Sequence, residues 1–281
     1  MKTPAWYVFK DFLDQEPLKS SLLRFLSPHL VEIVEQSPSL PFHPSQGIAS
    51  YKDRLQGIHY SWILPLLEPY SDADKYLFLS ILDHKQQEPL LQHFDLSKQT
   101  SPLSLWAELF LSKHLYELLT QDHKNLLPKE CLPEDPLNFL LDLSRERLLH
   151  LVDLLSLHDL ALEMRNIINS SHLMKINALL SQDQKNYLFQ LRQRIEPIAF
   201  KPMGLNHWNG DESLLKKLLH ERGLNRLSKA LSFSHLSLLW HLSHKLDIGR
   251  ASIVKTLFKE LKNKKAHTLL VSQVCESLQG L

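Results

Sequence analysis

The 281-residue sequence predicts an all-α protein, a multi-helix array of short antiparallel helices. Three observations carry that expectation. About 63 residues are leucine and about 7 are valine, and strands select β-branched side chains while helices take leucine readily. Only 7 glycines occur, so the chain has few places for the tight turns and close backbone approaches that phosphate- and dinucleotide-binding folds need. Capping hydroxyls recur in front of apolar residues at helical rather than alternating spacing, and the connections between them are short.

In chain order, Thr3-Pro4 predicts the first helix, with proline at the first helical position where its missing N–H costs nothing. Trp6, Tyr7, Phe9 and Phe12 crowd it: positions 6, 9 and 12 or 13 form a core-facing stripe, with a partner-binding face as the alternative. Ser27-Pro28 predicts a second start. Residues 37–50 hold Pro38, Pro41, Pro44 and Gly47 and read as a break. Gly57 falls inside a predicted helix upstream of Pro65, and Ser71-Asp72-Ala73-Asp74 resembles a capping box. Ser101-Pro102 starts a further helix. Ser156-Leu157-His158-Asp159 and Ser181-Gln182-Asp183-Gln184 mark two more.

A second break, Glu196 to Gly210, carries Pro197, Pro202, Gly204, Asn206, Asn209 and Gly210. It coincides with a change of charge: from Asp211 onward there are about 12 Lys/Arg against about 6 Asp/Glu, although the whole chain is only +1. The predicted organisation is therefore an N-terminal helical region (1–95), a middle region (96–196), a linker (197–210) and a basic C-terminal subdomain (211–281), with Gly223 and Gly249 between successive C-terminal helices. Residues 118–127 and 179–188 match at about seven of ten positions, with a shorter relative at 71–78, so a helical-repeat, armadillo-like arrangement is an expectation to test.

Catalytic and metal-binding constellations are not found. There is no Gly-x-Ser-x-Gly elbow, no Walker or dinucleotide fingerprint, no His-Glu-x-x-His and no paired Cys-x-x-Cys. His241 and His244 can share a helix face but no third ligand is indicated. No catalytic residue, cofactor or metal is expected. Cys131 and Cys275 are isolated thiols, no secretory prefix is recognised, and no 18 apolar residues run uninterrupted, which predicts a cytoplasmic protein without a membrane span.

Two features point to partners. Lys255, Lys259 and Lys262 recur at spacings of four and three beside the apolar stripe Val254, Leu257, Phe258 and Leu261, and Lys264 and Lys265 continue the charge past the expected helix end. This basic face is either a solvated helix surface with cations near a C-terminal dipole or a docking surface for an acidic partner. Trp208, in the second break, either anchors the linker onto a domain or contacts a partner.

The run from Leu140 through Leu143-Ser144-Arg145-Glu146-Arg147-Leu148, Asp153-Leu154-Leu155-Ser156 and Ile176-Asn177-Ala178-Leu179-Leu180-Ser181 resembles the short stacked helices of the flagellar rotor switch protein FliG and its relatives. The likeness covers about a fifth of the chain, and the acidic-His-Pro-Gln signature of that family's middle domain is absent. Taken whole, including the Thr3-Pro4-Ala5-Trp6 opening and the run 240–250, the chain looks like a lineage-specific cytosolic component of a bacterial type III secretion system, nearest the sorting-platform adaptors of the SctK/YscK type. That resemblance implies a non-catalytic adaptor or scaffold with protein partners, associated peripherally with a membrane complex through them. The alternative expectation is a helical protein that binds nucleic acid through its basic C-terminal subdomain.

Overall fold

A computed structural model describes residues 9–10, 13–14, 19–36, 49–97, 102–123, 125–167, 169–194, 196–259, 261 and 263–279. The helix start at Thr3-Pro4, the residues Trp6, Tyr7 and Phe12, the prolines of the first break with Gly47, and Ser101 and Lys262 lie outside the described residues. Among those described, the chain forms α-helices joined by short 3-10 turns and no strand, so the fold is all-α. The helices are α1 Lys19–Leu23, α2 Pro28–Gln36, α3 Tyr51–Gln56, α4 Tyr60–Leu67, α5 Asp72–Leu79, α6 His84–His93 and α7 Leu105–Thr120. They continue with α8 Arg145–Met164, α9 Ser170–Leu179, α10 Gln182–Arg192, α11 Glu212–Ala230, α12 Leu236–Lys245, α13 Ile248–Leu257 and α14 Lys264–Gln279.

Local chemistry sets the starts. Ser71 Oγ accepts the Asp74 N–H, and Ser181 with Gln184 forms a reciprocal capping box. Two expected starts move. α7 begins at Leu105, capped by Ser104 rather than by Ser101-Pro102. Ser156 lies in the middle of α8, where its hydroxyl donates back to the Asp153 carbonyl at 2.6 Å; Ser144 caps that helix instead. Ser50, at the end of the predicted break, forms a full capping box with Asp53 that opens α3.

The packing resolves into three apolar clusters. The first is built by α3 to α7 around Leu55, Ile63, Leu67, Phe78, Leu90 and Leu115, and Trp240 of α12 enters it. The second gathers residues 137–141, the first half of α8, the second half of α11, and α12, α13 and α14. The third joins the second half of α8, α9, α10, Leu205, Trp208 and the first half of α11. α8 and α11 therefore serve two clusters each, and most of α8 is buried, on every side of the helix. Where they cross, a Cβ at Gly223 would stand 1.9 Å from the Val152 carbonyl oxygen, so glycine is required there by contact. Gly223 thus sits within a helix and not between two. Gly57 closes α3 instead of lying inside a helix, and Gly249 falls in the first turn of α13.

These clusters do not follow the expected domain boundaries. α7 completes the first core, so no division falls at residue 95. Residues 197–210 are a clasp rather than a linker: Ile198, Leu205 and Trp208 are buried, and the Glu163 carboxylate accepts the N–H groups of Met203, Gly204 and Leu205 at 3.1, 2.8 and 3.0 Å. Gly204 and Gly210, at φ 79° and 94°, supply the left-handed turns that let the segment fold back onto α8 and α11. The first core is tied on as well, since His59 N–H donates to the His244 carbonyl at 2.7 Å and Trp62 Nε1 to the Leu246 carbonyl at 2.9 Å. The sequence echo is not a structural repeat: Ser181 caps a new helix, whereas Thr120 ends one and its hydroxyl bonds back to the Tyr116 carbonyl, with no helix at 125–128.

Candidate functional site

Chemistry-bearing side chains converge at one place in the interior. A cleft of about 1020 Å³ runs between α10 and α14 over the floor of α8, lined at its base by His158, Tyr187, Glu196, Gln273 and Ser277. Behind that floor lies Arg226, fully buried on α11. Its guanidinium donates to Asp159 at 2.7 Å, to Gln273 at 2.7 Å, to Glu196 at 3.3 Å and to the Ile198 carbonyl at 3.1 Å. Gln273 in turn donates to Glu196 at 2.7 Å, and His158 Nδ1 stands 2.5 Å from the other Glu196 oxygen. Five elements thus meet in one hydrogen-bonded knot.

Proton accounting fixes its state. Ser277 donates its single hydroxyl proton to the Gln273 carbonyl at 2.7 Å, so Tyr187 must donate to Ser277 across their 2.9 Å contact. His158 joins the chain through both ring nitrogens, Nε2 standing 2.9 Å from the Tyr187 hydroxyl and Nδ1 2.5 Å from the Glu196 carboxylate. The Arg226 guanidinium lies against both Glu196 and Asp159. Burial alone would raise the Glu196 carboxyl, but the His158 hydrogen bond and charge, Arg226 and Gln273 outweigh it and hold the group at about 2. Burial pushes the Tyr187 phenol up. The relay ends on a backbone carbonyl, with every proton spent internally. It is a clamp that ties α8, α10, α11, α14 and the clasp together; His150, Asn186, Gln190 and Ser272 also line the cleft, with Ser272 donating to Glu276 at 2.8 Å and Asn186 accepting from Gln182 at 3.1 Å.

The described lysines among those marked by the sequence do not share one helix face. α13 ends at Leu257, because Phe258 leaves helical geometry at ψ 90° and packs with Leu261 against the second core. Lys255 lies in the last turn of α13, its ammonium 4.7 Å from the centre of the Trp62 ring, and burial lowers its pKa. The Lys259 carbonyl accepts from Lys229 at 3.3 Å in the connection, and Lys264 and Lys265 open α14. The cations expected at a C-terminal dipole thus include two at a helix N-terminus, capped by Asn263, whose Oδ1 accepts the Lys265 and Ala266 N–H groups. Other cations of the basic segment are committed inside the fold: Arg226 in the clamp, Lys245 on the Leu141 and Leu143 carbonyls, Arg250 on Asp247 and His220. Trp208 takes the anchoring role and not the partner role: it is buried, and its Nε1 donates to the Asp211 carbonyl at 2.8 Å.

His241 and His244 are engaged separately, with the Leu127 and Trp240 carbonyls, and burial lowers both, His244 to about 3. Among the described residues no three His, Cys, Asp or Glu side chains come together as a metal cluster, and no helix is long and apolar enough to cross a membrane.

A surface that sequence reasoning passed over lies on α7. Leu105, Trp106, Leu109 and Phe110 are 66, 79, 45 and 67% exposed, at positions i, i+1, i+4 and i+5 of one helix face. Further along the helix Ser112, Leu115 and Tyr116 are buried, the last two in the first core, so the exposed strip belongs to the first two turns of α7. A signal was available: Leu105 to Leu111 contains Glu108 as its only charged side chain, so the helix is apolar on more than the one face a core can cover. No family model, curated protein or solved structure matches the chain.

Proposed function

We propose that the protein is a non-catalytic adaptor or scaffold of a type III secretion or flagellar-like apparatus, working on the cytoplasmic side through protein–protein contacts. The observation that carries the adaptor reading is the α7 face, where four large apolar side chains stand in solvent on a rigid helix backed by a packed core. The clamp supports it too, because its histidine, tyrosine and serine are consumed in holding helices together. The choice of apparatus rests on the likeness of residues 140–191 to stacked switch-protein helices and of the whole chain to sorting-platform adaptors.

The test is affinity capture under mild conditions from cells that assemble such an apparatus, with mass-spectrometric identification. Wild-type protein is expected to recover apparatus subunits, and Trp106→Asp with Phe110→Asp to lose them. Recovery of none by the wild type, from a lysate in which the complex is intact, would overturn the secretion assignment.

A further inference from the structure

We infer that the outer face of α7 is a self-association surface, through which two copies of the chain pair α7 against α7 across a twofold axis. This deepens the reading of that face as a contact surface and rests on it. Four observations select a second copy as the occupant.

The first is shape. Leu105 and Leu109 form one ridge and Trp106 and Phe110 the next, each one helical turn long. An antiparallel twofold arrangement sets the leucine ridge of one copy against the leucine ridge of the other and the aromatic ridge against the aromatic ridge, so that one patch meets its own copy. The second is area. At these exposures the four residues present roughly 500 Å² per copy, so a pair that covered them completely would remove roughly 1,000 Å² from water, the lower bound for a specific interface and the range of a weak one. The third is charge. The charged groups beside the face already have partners on the same molecule, Lys52 with Glu108 at 2.9 Å and Lys113 with Glu117 at 3.7 Å. A charged partner finds little to read there, while two identical copies meet without like-charge repulsion, helped by a whole-chain charge of only +1. The fourth is rigidity. The Phe110 ring stacks on His114, with centroids 6.0 Å apart and planes 13° from parallel, and His114 is itself hydrogen-bonded to Tyr70 at 3.3 Å. The aromatic ridge is thereby held in place before contact, which lowers the entropy lost on pairing.

The experiment is analytical ultracentrifugation of the full chain from about 1 to about 200 µM, with hydrogen exchange at both ends of the range. The expected result is a reversible monomer–dimer equilibrium with a Kd of tens of micromolar, added protection confined to residues 105–113 at the higher concentration, and at least a tenfold weakening by Trp106→Glu or Phe110→Glu. Trp106→Ala serves as a second, milder variant, and circular dichroism identifies any variant that has lost helix. A wild type that stays monomeric throughout overturns self-pairing. So does a dimer that survives the Trp106 and Phe110 substitutions, or one whose protection maps to the α10–α14 cleft. Capture of apparatus subunits in a Trp106-dependent manner, by a chain that remains monomeric, would discard the second copy as occupant while leaving the adaptor reading standing.

Discussion

α7 and α8 are the same kind of helix by composition and opposite kinds by environment. Each is long, rich in leucine and opened by a serine cap. α8 is enclosed by α10, α11 and α14 and buries even Ser156, His158, Asp159 and Glu163, giving each a partner. α7 packs on α3, α4 and α5 and leaves Leu105, Trp106, Leu109 and Phe110 of its first two turns in water. Leucine content therefore reports helix formation in this chain and says nothing about which helices are central. The polar residues say more: His158, Asp159 and Glu163 of α8 are buried and tied to distant segments, while Lys113 and Glu117 of α7 pair with each other at the surface.

The sharpest way to break that contrast is Arg226→Leu. It leaves Asp159 and Glu196 buried without their cation and is expected to cost about 3–5 kcal/mol in urea unfolding. A loss below about 1 kcal/mol would mean that the clamp is not what holds α8. Next is Gly223→Ala, which pushes a methyl into the Val152 carbonyl and is expected to cost about 2–3 kcal/mol through forced separation of α8 and α11. An unchanged midpoint would show that the crossing yields freely.

Acid tests the seam between the first core and α12. Burial lowers His59 to about 4 and His244 to about 3, against about 6.5 in an unfolded chain. Above pH 6.5 neither histidine takes a proton in either state and their contribution is whole. Below it the unfolded chain binds protons that the folded chain refuses, so stability falls by up to about 1.4 kcal/mol per pH unit for each, until pH about 4 for His59 and about 3 for His244. Glu196, held at about 2, adds a further loss below about pH 4.5. A His244→Gln variant should flatten the profile between pH 6 and 4, measured by urea unfolding at each pH. The smallest effect belongs to α7: Trp106→Ala and Phe110→Ala are expected to change monomer stability by no more than about 0.5 kcal/mol each, measured at low micromolar concentration. A larger loss would make this face part of the core after all.

Much of the helix pattern was legible because caps are local. Ser71 and Ser181 act within three residues of where they stand, and so can be read from a short window. Ser156 shows the limit: a serine followed three residues later by an acid reads as a cap, yet the same spacing occurs in a fully enclosed helix, where the hydroxyl turns to the carbonyl behind it. Asn263 shows the converse, a cap hidden in a lysine run whose last two members read as lying past a helix end and in fact open the next helix. The clamp could not be read at all. His158, Tyr187, Glu196, Arg226 and Gln273 come from five separate segments, and each alone looks like a residue of a polar helix face or loop. The clasp misled for a physical reason: proline and glycine report the backbone angles a segment needs, and a tightly anchored fold-back needs the same angles as a free linker.

Because α8 and α11 each lend one half of their length to one core and the other half to another, neither core can melt and leave the other its walls. Heat or urea should therefore meet an all-or-none object from residue 137 to 274, with coincident transitions for every probe placed in it, and a chain severed at residue 210 should leave neither residues 137–210 nor residues 211–274 with a folded core of their own. An assembly that builds on this molecule receives it whole or not at all.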